Sequence, residues 1–345
     1  MTNKTGVFIR RMRGGSIKKM LMHIGLIHRE TGKSRVWLFF DMTWCILRFR
    51  MGYSDYHCFG FANVRGKKRL TFLNMNDNIT LSSRLNSRED FDIFYDKGKF
   101  NAAFSEFAGR EWLDLRGASK EDFKSFCSGK DCLFAKPVDG CGGTDVEKIP
   151  LSEDADLDAL YGRLIKNGQL MVEQEIIQHE KMSSLAGSSV NTLRIVTLYY
   201  EKELYLMYAM LRMSDGKKCV DNICSGGMYC PIETDGVIRK PAYCSATGEF
   251  YEPHPFTGTS FIGFEIPYYK EAIELVKRAS EKFPNMRYLG WDVAITPDGP
   301  ILLEANNMPG FDIAQNYGHL DEKIGIKPRF EAVLGKDFFK GKIKF

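Results

Sequence analysis

Two carboxylates and an amide near the C-terminal end of the chain are the side chains best suited to bind a metal ion. Asp292, Glu304 and Asn306 lie on two apolar runs that flank the turn sequence Pro297-Asp-Gly, which predicts a β-hairpin. Because side chains alternate between the faces of a strand, a three-residue loop places Asp292 opposite Glu304, with Asn306 further along the same face. Oxygen ligands suit a hard cation such as Mg²⁺. The spacing therefore predicts a Mg²⁺ site, and the alternative is a half-exposed strand with polar outer residues.

The same register assigns the apolar side chains of the hairpin to a shared buried face. These side chains are Val293, Ile295, Ile301 and Leu303. A hairpin of this kind packs one face on a core and keeps the other available for polar groups.

A glycine-rich loop lies between predicted strands at 132–136 and 144–149. Gly140, Gly142 and Gly143 would let backbone N–H groups approach phosphate oxygens, and Lys136 adds a positive charge beside them. The loop is not a Walker A motif, which requires G-x-x-x-x-G-K-[ST] running into a helix. The loop therefore indicates a phosphate contact, and the alternative is an ordinary hairpin turn.

Two further segments carry polar residues at strand ends. The predicted strand at 169–177 includes Glu173 and could present backbone groups to an adenine edge, with Glu180 in reach of ribose hydroxyls. Asn191 and Arg194 open the next long strand, where an inward arginine would neutralise a transferring phosphoryl group. The alternative for Arg194 is a surface arginine. The polar loop at 221–227 contains Asn222 and is suited either to close backbone approach to a ligand or to a simple turn.

Charge is distributed unevenly along the 345 residues. The net charge is +4, but residues 1–70 contain 15 Lys or Arg against 3 Asp or Glu, a net of +12. A basic portion of this kind could face a sugar nucleotide, an acidic glycan, a membrane surface or nucleic acid, or it could be a solvated helix face.

Cysteine usage and hydropathy indicate the compartment. The nine cysteines are odd in number and form no C-x-x-C motif, which favours a reducing cytoplasm over a disulfide framework or a zinc ribbon. Residues 1–15 lack the continuous apolar core of a secretory signal. Residues 36–49 are apolar but too short to span a bilayer, and Asp41 and Arg48 interrupt them, so they predict a buried helix.

Helices and strands are mixed without regular alternation, which predicts an α+β fold and not a doubly wound sheet. Helix is expected over most of 1–50 and 87–130, with Ser119 as an N-cap. The Asn- and Ser-rich stretch 74–86 predicts a loop and a possible domain boundary. The resulting division is a basic, mostly helical region at 1–90 and two further portions at 91–172 and 173–345.

The order of the motifs resembles the ATP-grasp superfamily, and most closely its sugar-transfer-associated family. Two separated lysines, a glycine loop, an acidic strand end, an Asn/Arg strand and a Glu-x-Asn motif follow one another. The match rests on Gln178-His179, 189–197, Asp221-Asn222, Gly226-Gly227, His254-Pro255, Gly290-Trp-Asp292 and Glu304-Ala-Asn306. It is similar in part to the ligases that add glutamate to a ribosomal protein. The resemblance covers roughly residues 90–320.

The resemblance implies that two α+β subdomains, 91–172 and 173–345, hold ATP between them. It implies the following nucleotide-binding residues: Lys97, Lys136, Gly140, Gly142, Gly143, Glu173, Gln174, Ile176, Glu180 and Asn191. Lys97 and Lys136 would contact the phosphates, and adenine would lie against Glu173 and the backbone of Gln174 and Ile176. Glu180 would contact the ribose, and it ends the triplet Gln178-His179-Glu180 where relatives often have Gln-His-Pro. Arg194, Asn222 and Lys136 would be catalytic, and Asp292, Glu304 and Asn306 would bind Mg²⁺, with two ions expected.

The implied activity is that of an ATP-dependent carboxylate–amine ligase acting through an acylphosphate. The family name suggests a sugar context, such as joining an amino acid or amine to a uronic acid of a cell-surface glycan or its precursor. The alternatives are a small-molecule kinase on the same scaffold, or a non-catalytic nucleotide-binding or membrane-surface protein. No nucleic-acid partner is expected, and the basic N-terminal region is a candidate for peripheral membrane contact.

Overall fold

The computed structural model describes four stretches of the chain, which divides into two compact units. The described stretches are residues 17–139, 146–214, 226–245 and 247–340. One unit combines the chain up to Arg84 with the chain from Gly310 onward, and the other is Leu85–Pro309.

The first unit is helical. Its elements are α1 (Ile17–Thr31), α2 (Arg35–Phe49), α3 (Tyr53–Cys58), a 3₁₀ segment (Gly66–Thr71), α4 (Met75–Leu85), two short 3₁₀ turns (Ile313–Gln315 and Tyr317–His319) and α12 (Lys327–Leu334). The predicted helix over 17–50, with a break near Gly32, is confirmed, and Gly32 adopts the positive φ that ends α1. The predicted loop at 74–86 is wrong, because α4 occupies it, although the boundary between the units falls at the end of this helix.

The C-terminal segment belongs with the helical unit and not with the portion 173–345 to which the sequence assigned it. The Gln315 side chain accepts a hydrogen bond from the Leu73 backbone N–H at 2.8 Å and donates one to its carbonyl at 3.1 Å. Lys327 forms an ion pair with Asp77 on α4 at 3.1 Å. Such contacts join positions some 250 residues apart, which no local sequence pattern reveals.

The second unit contains two antiparallel sheets and the helices that cover them. The smaller sheet contains β1 (Trp112–Asp114), β2 (Cys132–Lys136), β3 (Glu147–Pro150) and β4 (Met171–Gln174), in the order β1-β4-β2-β3. Strand β1 interrupts the helix predicted over 87–130. Strand β4 extends to Gln174, so the boundary predicted between 172 and 173 falls inside a strand.

Helices α8 (Lys120–Cys127) and α9 (Leu157–Asn167) contribute to the core of the smaller sheet. Four short helices contribute instead to the core of the larger sheet: α5 (Phe91–Tyr95), α6 (Lys97–Ala103), α7 (Ser105–Ala108) and α10 (Glu180–Ser183). Ser119 caps α8 as predicted, since its hydroxyl accepts a hydrogen bond from the Asp122 N–H while the Asp122 carboxylate accepts one from the Ser119 N–H.

The larger sheet has seven strands in the order β11-β10-β5-β6-β7-β8-β9. They are β5 (Thr192–Tyr200), β6 (Glu203–Met213), β7 (Met228–Ile232), β8 (Ala242–Cys244), β9 (Glu249–Tyr251), β10 (Tyr288–Thr296) and β11 (Gly299–Asn306), with α11 (Tyr269–Lys282) packed against the sheet. The predicted hairpin of β5 and β6 is confirmed, and Glu201 and Lys202 both take the positive φ that its tight turn requires.

The hairpin of β10 and β11 reaches the predicted pairing by a different route. Thr296 pairs with Gly299, so the turn has two residues and not three. A bulge between Asp292 and Val293 then shifts the register by one, and Asp292 lies opposite Glu304 as predicted. Without the bulge, the Glu304 side chain would lie on the face of the hairpin opposite to that of Asp292.

The shortened turn also corrects the predicted apolar face. Val293 pairs with Leu302, and both belong to the main core. Ile301 instead pairs with Ala294, two residues beyond Asp292, and therefore lies on the polar side of the hairpin. There it packs so closely on Gly109 that a Cβ at that position would lie 2.1 Å from the Ile301 side chain.

Three further expectations concern membrane-spanning helices, the cysteines and helix α2. Among the described residues, no helix has both the length and the apolar character needed to span a bilayer. The six cysteines in the described stretches are all free thiols. Helix α2 is confirmed where residues 36–49 predicted it, but the prediction that it is buried is wrong, because one side of it is exposed.

Candidate active site

A buried ion-pair cluster lies on the face of the large sheet opposite its core. Asp292 on β10 pairs with Arg194 on β5, and the Arg194 guanidinium donates to both carboxylate oxygens, the Nη2 contact being 2.9 Å. Arg212 on β6 donates to the same carboxylate at 2.9 Å. Burial alone would raise the pKa of Asp292, but the two guanidinium groups lower it to about 2. Asp292 is therefore a permanent anion with two arginines fixed around it.

Glu304 stands directly across from Asp292 in a very different electrostatic environment. Its side chain is half-buried, and no Lys or Arg among the described residues forms an ion pair with it. Burial and the negative charge of Asp292 raise its pKa, against the opposing effect of Lys136, Arg194 and Lys97. A carboxylate held in this way favours the approach of a cation.

Asn306 and the buried Asn86 fix the end of β11. The Asn306 amide donates to the Glu304 carboxylate at 3.3 Å. The Asn86 amide donates to the carbonyls of Tyr288 and Asn307 at 2.8 and 2.9 Å, and its oxygen accepts from the Tyr288 N–H at 2.8 Å. The strand end that carries Glu304 and Asn306 is thus tied to the start of β10.

A second buried cluster is centred on Glu173 in the small sheet. The carboxylate accepts hydrogen bonds from Lys136 at 2.7 Å, Arg110 at 2.9 Å and Asn101 at 3.0 Å. Burial disfavours its charge, but the two cations outweigh burial and hold the pKa of Glu173 well below its usual range. Burial and the positive charge of Arg110 lower the pKa of Lys136, against the opposing effect of Glu173.

A backbone hydrogen bond connects the segments that carry the two predicted phosphate lysines, Lys97 and Lys136. It is the first residue of α6, and its backbone N–H donates to the Val138 carbonyl at 2.9 Å, two residues beyond Lys136. The Asp96 side chain caps the helix by accepting from the Gly98 and Lys99 N–H groups. Lys97 and Lys136 both lower the pKa of Glu304, so the two lysines lie within electrostatic range of the acidic hairpin.

The remaining predicted nucleotide residues are less closely grouped. Gln174 is exposed at the end of β4, and its backbone N–H donates to the Glu111 carbonyl at 2.9 Å. Ile176 is half-buried in the connection that follows, and Glu180 is exposed at the start of α10. Their adenine and ribose roles stay predictions, as does that of Glu173, whose carboxylate is engaged with cations.

Asn191 is fully buried and serves the loop beside it. Its amide nitrogen donates to the carbonyls of Met182 and Ala186 at 2.8 and 3.0 Å and to the Gln178 side chain at 3.1 Å. These bonds commit its donors to the backbone between α10 and β5, so direct nucleotide contact by Asn191 also stays a prediction. Gly140, Gly142, Gly143 and Asn222 lie outside the described residues.

Sequence reasoning missed Arg110, Asn101 and Arg212. Arg110 and Asn101 lie in the stretch interpreted as helix, where nothing indicates that their side chains meet Glu173. Arg212 pairs with Thr192 only because β5 and β6 also contain a bulge, between Val196 and Thr197. A search for basic residues on the strand next to Arg194 would have found Arg212 as a candidate.

Aromatic side chains continue the polar face of the large sheet beyond Arg212. Arg212 pairs with Tyr229, Tyr229 with Tyr243, and Tyr243 with Phe250, so all four side chains share one face. The ring centroids of Tyr229 and Tyr243 are 5.5 Å apart, and those of Tyr243 and Phe250 are 5.0 Å apart. Exposure rises along this aromatic row, from a buried Tyr229 to an exposed Phe250.

The donor set fits a hard divalent cation. Asp292, Glu304 and Asn306 supply only oxygen ligands, and Glu304 has a raised pKa that a neighbouring cation would lower again. The described residues contain no group of three or more His, Cys, Asp or Glu side chains arranged to hold a metal. Two carboxylates and an amide leave positions for other oxygens, which is the usual arrangement for Mg²⁺ with a bound phosphate.

The chain belongs to the sugar-transfer-associated ATP-grasp family, whose sequence profile matches residues 76–333. The resemblance drawn from the motifs and the α+β ATP-grasp fold are therefore confirmed. Family membership supports ATP and Mg²⁺ as the cofactors. Comparison with curated protein sequences found no match.

Several solved structures are similar to this chain. The ATP-grasp ligase PsnB complexed with a minimal precursor is 15% identical, with a TM-score of 0.43 over 72% of this chain and 64% of that one. The D-cycloserine synthetase DcsG is 13% identical, with a TM-score of 0.44 over 74% and 73%. The D-alanine-D-alanine ligase from Coxiella burnetii is 13% identical, with a TM-score of 0.37 over 64% and 49%. The chain spans less than two thirds of the PsnB chain.

Proposed function

We propose that this protein is an ATP-dependent ligase that activates a carboxylate as an acylphosphate and transfers the acyl group to an amine. The observation that carries the proposal is the placement of Lys97 and Lys136 within electrostatic range of Glu304, beside the Asp292–Arg194 pair. This arrangement offers cations for phosphate oxygens and carboxylates for a metal in one place. Membership in an ATP-grasp family supports the nucleotide assignment.

Lys136 and Lys97 would bind the phosphates of ATP. Glu173 remains ionised at neutral pH and orients Lys136 through a 2.7 Å hydrogen bond. Arg110 shares that carboxylate at 2.9 Å, which leaves the group of three with a net positive charge toward the nucleotide. A fixed charge of this kind stabilises developing negative charge without reorganisation.

Glu304, Asp292 and Asn306 would hold Mg²⁺. Mg²⁺ supplies charge neutralisation at the phosphate oxygens when it is bound. Glu304 is the principal candidate ligand, because Asp292 is already bound by Arg194 and Arg212. Asn306 would orient Glu304 through its amide.

Arg194 would face the transferring phosphoryl group. Its guanidinium donates two hydrogen bonds to Asp292 from one edge, which fixes its plane and keeps the pKa of Arg194 above its ordinary value despite burial. A guanidinium fixed in this way neutralises charge that spreads over the equatorial oxygens of the phosphoryl group. Arg212, anchored to the same carboxylate, extends the positive surface toward the aromatic row.

The chemistry follows from the weakness of carboxylates as electrophiles. A carboxylate oxygen of the substrate attacks the γ-phosphorus, the bond from that phosphorus to the bridging oxygen breaks, and ADP leaves. The amine nitrogen then attacks the activated carbonyl carbon, phosphate leaves, and the amine loses a proton to solvent. Catalysis would rest on positioning and charge, with no covalent enzyme nucleophile.

For the carboxylate substrate we propose a sugar-derived acid such as a uronic acid of a glycan precursor. The description of the family supports a sugar context. The aromatic row of Tyr229, Tyr243 and Phe250 lies beyond Arg212 on the same face, and it would suit a sugar ring held next to a carboxylate. Arg212, held in place by Thr192 and Asp292, would then offer its positive charge to the acid group.

Isotope exchange tests the first half-reaction without knowledge of the amine. With ATP labelled by ¹⁸O in the β,γ-bridge and a panel of uronic acids, reversible acylphosphate formation scrambles the label into the non-bridging β-positions. Hydroxylamine should trap the same intermediate as a hydroxamate. We expect both signals to require Mg²⁺ and to disappear in Lys136→Met, while Lys166→Met, which removes an exposed lysine at the end of α9, retains them.

Two other outcomes would contradict the ligase. A stable phosphorylated acceptor without hydroxamate would identify a kinase on the same scaffold. Unchanged nucleotide affinity in Lys136→Met, together with no turnover of any acid, would favour a binding protein. Thermal stabilisation by a non-hydrolysable ATP analogue separates loss of binding from loss of chemistry.

A further inference from the structure

Helix α2 is apolar on both sides, and the outer side is exposed. Four side chains along it are largely accessible: Val36 67%, Phe40 66%, Trp44 52% and Leu47 72%. At 100° per residue these positions fall within an arc of roughly 80°, so they form one stripe. The opposite arc, formed by Leu38, Met42, Cys45 and Phe49, is buried in the helical unit.

The stripe is bordered by cations. Arg65, Lys67 and Lys68 are exposed in and just before the 3₁₀ segment, and the Arg65 guanidinium lies 5.0 Å from the ring centroid of Trp37 on α2. Arg69 lies 6.0 Å from the Trp44 ring. The basic segment therefore adjoins the tryptophan side of the stripe.

The negative charge on helix α2 is neutralised. Asp41 is the one acidic residue in the sequence of α2. Its carboxylate accepts two hydrogen bonds from Arg69, the contact to Nη1 being 2.9 Å, and one from the Tyr56 hydroxyl at 2.6 Å. Arg35 begins the helix and Arg48 and Arg50 lie at its end, so cations border the stripe at both ends as well.

We propose that the outer face of α2, together with Arg65, Lys67 and Lys68, binds the surface of an anionic phospholipid bilayer. Val36, Phe40, Trp44 and Leu47 would enter the headgroup region, and the cations would contact lipid phosphates. The 15-residue helix is about 22 Å long, too short to cross the roughly 30 Å hydrocarbon core, so it lies on the membrane.

Charge decides between a bilayer and a second copy of the chain. A symmetric dimer through this face would bring two sets of Arg65, Lys67 and Lys68 together, and like charges at close range oppose association. An anionic membrane instead satisfies the apolar stripe and its basic border together, and the +12 net charge of residues 1–70 favours the same encounter. The surface lies in the helical unit, so the proposal does not depend on the ligase activity.

Vesicle flotation of the full chain tests the proposal. Binding is expected to vesicles containing 30% phosphatidylglycerol and to be at least tenfold weaker with phosphatidylcholine alone. The double substitution Phe40→Ser/Leu47→Ser, in exposed positions, should reduce binding at least tenfold. The matched control Phe256→Ser/Ile262→Ser removes two exposed apolar side chains from the other unit and should leave binding unchanged.

A charge variant and a spectroscopic signal complete the design. Lys67→Gln/Lys68→Gln should weaken binding roughly tenfold, at about fivefold or less per removed charge, and 0.5 M salt should remove most of that difference. The fluorescence of Trp44 should shift to the blue with anionic vesicles, and Trp44→Phe should abolish the shift. Circular dichroism confirms that each variant is folded.

Three results would overturn the proposal. The first is the absence of binding to anionic vesicles by the folded chain. The second is equal binding by the Phe40→Ser/Leu47→Ser variant and the control. The third is a concentration-dependent dimer that the same substitutions dissociate, which would make the stripe an interface between copies.

Discussion

Glu304→Gln should make the metal-free protein more stable while it removes Mg²⁺-dependent function. Glu304 has no basic ion-pair partner among the described residues, and it faces the permanent anion Asp292 across the hairpin. Glutamine keeps the size of the side chain and can still accept the hydrogen bond from Asn306. The substitution therefore removes a repulsive charge without creating a cavity.

The size of the effect follows from the cross-strand geometry. Directly paired side chains are about 5 Å apart, and two unit charges at that distance repel by about 3 kcal/mol at an effective dielectric constant of 20. Arg194 and Arg212 offset part of this repulsion by pairing with Asp292. We expect a net stabilisation of about 1 kcal/mol, which corresponds to a rise of roughly 2–4 °C in the transition midpoint for a unit of this size.

The pH dependence gives the effect a sign that can be checked. The pKa of Glu304 is raised in the folded state, so the folded protein binds its proton more strongly than the unfolded chain does. Stability therefore falls as pH rises from the unfolded pKa, near 4.5, through the raised folded pKa. The advantage of Glu304→Gln should be full above that folded pKa and disappear below about pH 4.5.

Thermal unfolding in EDTA, followed between pH 4 and 8, is the appropriate assay. Asp298→Asn serves as the matched control, since it removes an exposed carboxylate from the turn of the same hairpin and should change stability by less than about 0.5 kcal/mol. With Mg²⁺ and ATP the order should reverse, because only the wild type gains stability from the metal. A Glu304→Gln midpoint at or below that of the wild type in EDTA at pH 7 refutes the reasoning.

The other predictions concern the groups that hold the site together. Asp292→Asn should destabilise the protein by about 3 kcal/mol at pH 7 in urea unfolding, because it removes the carboxylate that pairs with the buried Arg194 and the half-buried Arg212. Since the folded pKa of Asp292 is about 2, its contribution should be present above the unfolded value near 4 and be lost as pH falls toward 2. Asn86→Ala should cost about 2–3 kcal/mol in the same assay, as three backbone partners lose their bonds. Lys136→Met should stay folded, because Glu173 keeps two partners, yet bind a non-hydrolysable ATP analogue at least tenfold more weakly by calorimetry.

The hairpin of β10 and β11 shows what a sequence pattern can and cannot specify. The apolar runs and the turn residues predict a hairpin, and the pairing of Asp292 with Glu304 is correct. The predicted three-residue turn is wrong. The turn is shorter by one residue, and a bulge shifts the register by one residue to restore the predicted pairing. Alternation along a strand records which residues are apolar but not where an extra residue is accommodated, so the position of Ile301 was predicted wrongly.

Contacts between distant segments set the other limit. Glu173 was singled out as an acidic strand end, but its partners Arg110 and Asn101 come from a stretch more than 60 residues earlier that has no motif. The exposed side of α2 was missed for a related reason. An apolar run reads as buried, and only the packing of α2 shows that its core-facing arc needs Leu38 and Met42 but not Phe40.

The charges of the two clusters complement the proposed ligand, magnesium-bound ATP. The cluster residues and the two phosphate lysines comprise five cations and three carboxylates: Lys97, Arg110, Lys136, Arg194, Arg212, Glu173, Asp292 and Glu304. Their net formal charge of +2 complements the net charge of −2 on magnesium-bound ATP. In Glu304→Gln the net formal charge rises to +3. In EDTA, metal-free ATP, with four negative charges, should therefore bind to this variant at least as tightly as it binds to the wild type. Addition of Mg²⁺ should no longer improve ATP binding to the variant. Weaker binding of metal-free ATP to Glu304→Gln would mean that Glu304 does not face the phosphates.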